Sequence, residues 1–195
     1  MRLFYALFPP PEICARLAEI QHELKKLCAP ARLTWTQPDQ FHFTVRFIGE
    51  CSLRQAEAAL EAGITAAYQR PPITLEIGGI GAFPNLQRPT VFWTGALRGS
   101  DAFLSLAETL EAALRFRRFA PDRRGAKPHI TLARAKTYDG EEAAARALRT
   151  YSLGEVGTFT ADRLLLMQSR PSQQGSVYSV VREIPLEPAQ PDKKE

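Results

Sequence analysis

Apolar and aromatic residues run through "RLFYALF" at positions 2–8 and stop at Pro9, Pro10 and Pro11, which predicts a buried strand. The prolines suit a helix entrance, and Ile13, Leu17, Ile20, Leu24 and Leu27 then recur at helical spacing across 12–28. Next, "RLTWTQPDQFHFTVRFIGE" reads as a short strand, a proline turn and a second strand over about 41–48, closed by Gly49. Helical spacing returns over 53–69 behind Ser52, a candidate N-cap. Two strands, "PITLEIGGIGAF" and "TVFWTGAL", flank the turn-forming "PNLQRP". Ser100 or Asp101 would cap a helix over "AFLSLAETLEAALRFR", after which the basic loop "RRFAPDRRGAKP" leads into the strand "HITLARAK". A short helix around "GEEAAARALRTY" follows. Two last strands, "TFTADRLLLMQS" and "SVYSVVREIPL", lie across a polar "RPSQQG" turn, and "EPAQPDKKE" (187–195) has the composition of a disordered tail.

This order fits an α/β layer structure of the α+β type, and the hairpin-like strand pairs predict mostly antiparallel sheet. The two halves share a plan: a strand bearing His-x-Thr-x, a helix, then two strands. Two lobes related by a pseudo-twofold axis are therefore expected within one bilobal domain, residues 1–186, although the halves show no clear sequence repeat outside the shared frame.

Composition narrows the class only slightly. With 195 residues, 45% hydrophobic and 24% charged, the chain reads as an ordinary soluble globular protein. A net charge of +4 is compatible with a polyanionic ligand, since basic surfaces concentrate phosphates. Cys14, Cys28 and Cys51 lack metal-type spacing and read as reduced, mostly buried thiols of an intracellular protein. The apolar start is cut short by prolines, so neither a signal peptide nor a membrane span is expected, and the cytoplasm is the default location.

The candidate chemistry lies in the repeated frame. Of three histidines, two occupy "HFTV" (His42, Thr44) and "HITL" (His129, Thr131). Side chains at i and i+2 of a strand share a face, so each copy presents an imidazole and a hydroxyl, with Phe43 and Val45, or Ile130 and Leu132, behind them as apolar anchors. Two such pairs across a groove suit cleavage of a phosphodiester by water: one imidazole takes the water's proton and the other protonates the leaving oxygen. The hydroxyls can hold non-bridging oxygens.

Other readings have less support. A first-row metal usually takes three or four N, O or S ligands, and neither frame contains a carboxylate or cysteine. No Gly-x-Ser-x-Gly elbow is present for a serine nucleophile. His22 reads as an exposed helix residue, and Trp35 and Trp93 as core.

"HFTVRFIGE", the proline-preceded "HITLAR" and the opening "RLFYALFPP" together resemble the two-histidine phosphoesterase superfamily, within it the RNA 2′,3′-cyclic phosphodiesterases, also called 2′-5′ RNA ligases. The resemblance covers nearly the whole chain up to about residue 186. It implies two mostly antiparallel sheets lining a V-shaped cleft with helices outside. It also implies hydrolysis of a terminal 2′,3′-cyclic phosphate to a 2′-phosphate, with no metal or other cofactor. By similarity His42 would be the proton donor to the leaving O3′ and His129 the acceptor that activates water, with Thr44 and Thr131 on phosphate oxygens. RNA ends carrying a cyclic phosphate, tRNA fragments among them, and small cyclic nucleotides are the implied partners. A monomer is expected from the self-contained pairing of the two halves.

Arg134 matches the family's arginine five residues after the second histidine, but strand parity turns it away from His129 unless a bulge or the strand end re-aims it. Arg46 has the parity to share the face of His42 and is a second candidate cation near RNA. Phe4 should alternate with core-facing Leu3, Tyr5 and Leu7, and could stack a base if its face looks into the cleft. Arg123, Arg124 and Lys127 could guide a longer strand. Other functional readings are 2′-5′ RNA joining, a 2′,5′-oligonucleotide phosphodiesterase and a non-catalytic RNA-end binding module.

Overall fold

The computed structural model describes residues 1–29, 31–135, 140–172 and 175–188. Among these the elements run β1 (Arg2–Leu7), α1 (Pro11–Leu27), β2 (Leu33–Trp35), a 3₁₀ turn (Pro38–Gln40), β3 (Phe43–Glu50), α2 (Leu53–Ala67), β4 (Ile73–Phe83), β5 (Val91–Arg98), α3 (Ser100–Phe116), β6 (His129–Ala135), α4 (Glu141–Thr150), β7 (Glu155–Ala161), β8 (Arg163–Ser172) and β9 (Gly175–Pro185). Ser52 caps α2 as its position suggests. The Gln55 amide donates to the Ser52 hydroxyl at 3.3 Å, and the Ser52 amide to the Gln55 side-chain oxygen at 2.9 Å.

Three details differ from the sequence pattern. The stretch 158–169 is two strands rather than one, broken at Asp162. α3 has Gly99 at its N-cap with no side-chain cap, while the Ser100 hydroxyl donates to the Ala96 carbonyl at 3.3 Å. Glycine is required there: its φ is 85°, and a Cβ would lie 2.0 Å from the Thr74 carbonyl oxygen. Lastly, β8 and β9 extend into the predicted turn, Ser172 lying opposite Gly175. From residue 189 on, the predicted tail lies outside the described residues.

The strands form one antiparallel sheet in the order β7-β4-β5-β6-β3-β1-β8-β9, with β2 also paired to β6. The two expected sheets are the halves of this path, and they meet at a single residue pair, Phe43 opposite Ile130. β7 ends the path and β8 lies next to its other end, yet only Asp162 separates them in sequence. The sheet must therefore curl until its ends approach.

One face carries the main core: Leu3, Tyr5 and Leu7 of β1, Phe43 and Val45 of β3, and Ile130 and Leu132 of β6, together with Leu17 and Leu24 of α1 and Leu106 and Leu110 of α3. Phe43, Val45, Ile130 and Leu132 are at most 2% exposed. Burying each is worth about 1.5–3 kcal/mol. A one-residue slip of either motif strand would expose these anchors and push the histidines into the core, so the register is strongly held. On the opposite face Phe4, Ala6 and Met167 make a second, smaller apolar cluster. Cys14, Cys28 and Cys51 are free thiols, and burial pushes Cys28 up to about 11.

Candidate active site

Phe43 and Ile130 each directly follow a motif histidine. An antiparallel register through this pair sets His42 level with Thr131 and His129 level with Thr44, all on the face away from the main core. The two polar pairs expected from the sequence thus come together at the junction of the half-sheets. Neither threonine hydroxyl is engaged by another described residue.

The histidines are fastened alike. His42 Nδ1 lies 2.7 Å from the Gln40 carbonyl oxygen, and His129 Nδ1 lies 2.7 Å from that of Lys127, in each case two residues upstream. A carbonyl only accepts, so Nδ1 carries the hydrogen in both rings and Nε2 is left free to take or give a proton.

Aromatic rings bed each imidazole. His42 stacks on Phe8 at 5.3 Å between ring centroids, leans on Phe4 at 5.2 Å and meets Tyr178 edge-on at 5.4 Å. His129 meets Phe83 edge-on at 4.9 Å and Trp93 at 6.2 Å. Burial among these rings is the largest cause pulling the His42 pKa down to about 4; the Gln40 bond opposes it, and the charges of His129 and Arg134 add to it. His129 is lowered too, first by burial, with Arg134 and Lys127 contributing against the Lys127 carbonyl bond. In the free cleft both rings are therefore neutral at pH 7.

The aromatic expectations need correction. Phe4 is on the cleft face but only 1% exposed, covered by His42, Phe47 and Tyr178, so no base can stack on it; it is the floor beneath His42. Trp93 is beside His129 rather than simply in the core. Its indole lies across Gly81, where a Cβ would come within 2.3 Å of the ring. Tyr178, Phe8 and Phe83 also line the site, although nothing in the sequence separates them from core aromatics.

The fate of the two arginines turns on one device used twice. On β6, Trp93 pairs with Thr131 but Phe92 with Ala133, so Leu132 is an extra residue. Leu132 and Ala133 both face the core at 0% exposure, and Arg134 is returned to the cleft side, where its charge acts on His42, His129 and Tyr178. On β3, Ala6 pairs with Thr44 but Tyr5 with Arg46, so Val45 is the extra residue. Here the bulge carries the arginine out of the cleft. Arg46 Nε donates to Glu111 of α3 at 2.7 Å and Nη2 to the Ala120 carbonyl at 2.6 Å, while the Asp122 amide also donates to Glu111 at 3.1 Å. Contrary to the parity expected from the sequence, Arg46 is turned away from the face of His42 and ties β3 to α3 and the loop leading to His129. Arg46→Ala should cost about 1–3 kcal/mol, read as a lower urea midpoint, because Glu111 loses its cation. Weaker nucleotide binding at unchanged stability would return Arg46 to the cleft.

Arg123, Arg124 and Lys127 are exposed on that loop, and the Lys127 ammonium sits 5.0 Å from the Phe83 ring centre. Among the described residues no three His, Cys, Asp or Glu side chains are grouped to hold a metal ion, and no helix is long and apolar enough to cross a membrane.

The profile of the LigT like Phosphoesterase family matches residues 7–93 and 98–178, which include both frames and Arg134. The chain belongs to the LigT-like phosphoesterase family. It is 31% identical over 169 residues to the RNA 2′,3′-cyclic phosphodiesterase of Aeropyrum pernix, covering 87% of this chain and 94% of that protein. To the protein of the same name from Thermus thermophilus it is 32% identical over 194 residues, covering 95% and 90%. The crystal structure of the Thermus thermophilus protein TT0787 superposes with a TM-score of 0.80 at 29% identity, spanning 97% of this chain and all (100%) of that one. As a LigT-like phosphoesterase the chain has the mixed α/β, antiparallel architecture read from its sequence.

Proposed function

We propose that this LigT-like phosphoesterase hydrolyses the 2′,3′-cyclic phosphate at RNA ends to a 2′-phosphate, using its two histidines and no metal. The observation that carries this reading is the matched fastening of the rings: each Nδ1–H is committed to a backbone carbonyl, so both Nε2 atoms are available for proton transfer at one junction. His129 Nε2 accepts a proton from water, whose oxygen attacks phosphorus. The P–O3′ bond breaks, and His42 Nε2–H protonates the departing O3′. Thr44 and Thr131 donate hydrogen bonds to the non-bridging oxygens, and Arg134 balances their growing charge. The relatives' shared name, RNA 2′,3′-cyclic phosphodiesterase, supports the same substrate class.

The lowered pKa values bear on the acid step. His42 is neutral in the free cleft and takes up its proton favourably only when the phosphate anion lies beside it. Since kcat/KM reports the free protein, its optimum should fall below pH 6.5, and the value should decline with rising pH through neutrality. The optimum of kcat should sit higher, because bound phosphate raises both rings. A kcat/KM optimum at pH 8 or above would contradict this. Incubating a nucleoside 2′,3′-cyclic phosphate with the protein in excess EDTA tests the reading: the 2′-phosphate should accumulate at an undiminished rate. A 3′-phosphate product, or activity abolished by the chelator, would overturn it.

A further inference from the structure

The bulge that delivers Arg134 to the cleft is held from outside the cleft. Gln21 lies on the core-facing stripe of α1 with Ile13, Leu17 and Leu24 and is 2% exposed. Its Nε2 donates to the carbonyl of Leu132, the bulged residue, at 2.8 Å, and to that of Thr36 at 2.9 Å; the Thr36 amide donates to the same Leu132 carbonyl at 2.9 Å. The Leu132 carbonyl thus receives two donors where a regular ladder would supply one. At this point β6 changes partners, from β3 at Ile130 to β2 at Ala133, and the Gln21 amide spans the fork.

We infer that Gln21 is a positioning residue for Arg134: by bonding the Leu132 and Thr36 carbonyls it holds the bulge in the form that turns the guanidinium toward the phosphate. The consequence for catalysis rests on the assignment of Arg134 to phosphate in the proposed function. Packing alone would favour a leucine at this position, because taking a primary amide out of water is costly unless its bonds matter. A regular ladder through Leu132 would restore simple alternation, and Arg134 would then point to the core side with Ile130. The sequence carries a signal for this: 13, 17, 21 and 24 form one helical stripe, and Gln21 is its polar member.

The test compares wild type, Gln21→Met, Arg134→Ala and the double variant. The His42 and His129 titrations, followed by NMR in the ligand-free protein, read the nearness of the Arg134 charge with no substrate present. Gln21→Met should raise both pKa values, as Arg134→Ala does, and the double variant should go no further. Affinity for adenosine 2′-monophosphate should fall about tenfold in Gln21→Met, and KM for a cyclic nucleotide should rise more than kcat falls, with little added loss in the Arg134→Ala background. Should Gln21→Met be too unstable, Gln21→Asn, one methylene shorter and too short to span both carbonyls, should shift the same quantities less. Unchanged titrations in a folded variant, or equal losses with and without Arg134, would overturn the inference. Shifted titrations in a protein that neither binds nor turns over the nucleotide would uphold the positioning role and reject the proposed function instead.

Discussion

His42→Ala and His129→Ala should each lower kcat on a nucleoside 2′,3′-cyclic phosphate by roughly 10²–10⁴-fold, and the double variant should be little worse than either. The non-additivity follows from both imidazoles serving one displacement, so that losing one proton transfer idles the other. The two losses can be told apart by changing the leaving group. An aryl phosphodiester releases a phenolate that needs no proton, so His42→Ala should recover much of its activity on it, whereas His129→Ala should not. Recovery in His129→Ala instead would exchange the assigned roles. Both variants should fold normally, since each ring lies on the cleft side and its strand is anchored by the buried residues behind it. Losing His42 should even relieve acid sensitivity. A ring titrating at about 4 when folded and near 6.5 when unfolded costs about 3 kcal/mol as pH falls through that window, and nothing above it.

Arg134→Ala is the second large expected effect, a fall in kcat/KM of about 10²-fold. Arg134→Lys should recover part of it, because a point charge replaces a planar fork. Arg134 makes no ion pair among the described residues, so its removal strands no partner, and stability should change little. The same replacement should raise the His42 and His129 pKa values, since its charge depresses both. An unchanged kcat/KM together with unchanged titrations would remove Arg134 from the site.

The hydrophobic rhythm was enough to find the elements, because Phe43, Val45, Ile130 and Leu132 alternate with the polar pairs and are buried as alternation requires. The repeated His-x-Thr frame placed the centre of the site for the same reason. Alternation failed where an extra residue entered a strand. In a straight strand Arg46 would share the face of His42, but the extra residue Val45 turns it into the helix layer. Arg134 needed the bulge at Leu132, whose hydrogen-bond partner is on α1, 111 positions away in sequence. A bulge is settled by cross-strand pairing and by such distant donors, neither of which a local pattern contains. Phe4 illustrates a different limit: period two assigns a face, but exposure depends on what covers it, and here Tyr178 arrives from β9. The break at Asp162 is hidden because only Asp162 and Arg163 separate the strand-like Thr158–Ala161 from the apolar Leu164–Met167, with no glycine or proline between them.

That both Nε2 atoms serve a single phosphate is tested most directly by long-range ¹H–¹⁵N spectra of the His42 and His129 rings, recorded at pH 7 with and without adenosine 2′-monophosphate. In the free protein both rings should be neutral with the hydrogen on Nδ1, and saturating nucleotide should shift both Nε2 signals along one binding curve and raise both titrations. A ring carrying its hydrogen on Nε2 in the free protein, or one that ignores the nucleotide, would contradict the account.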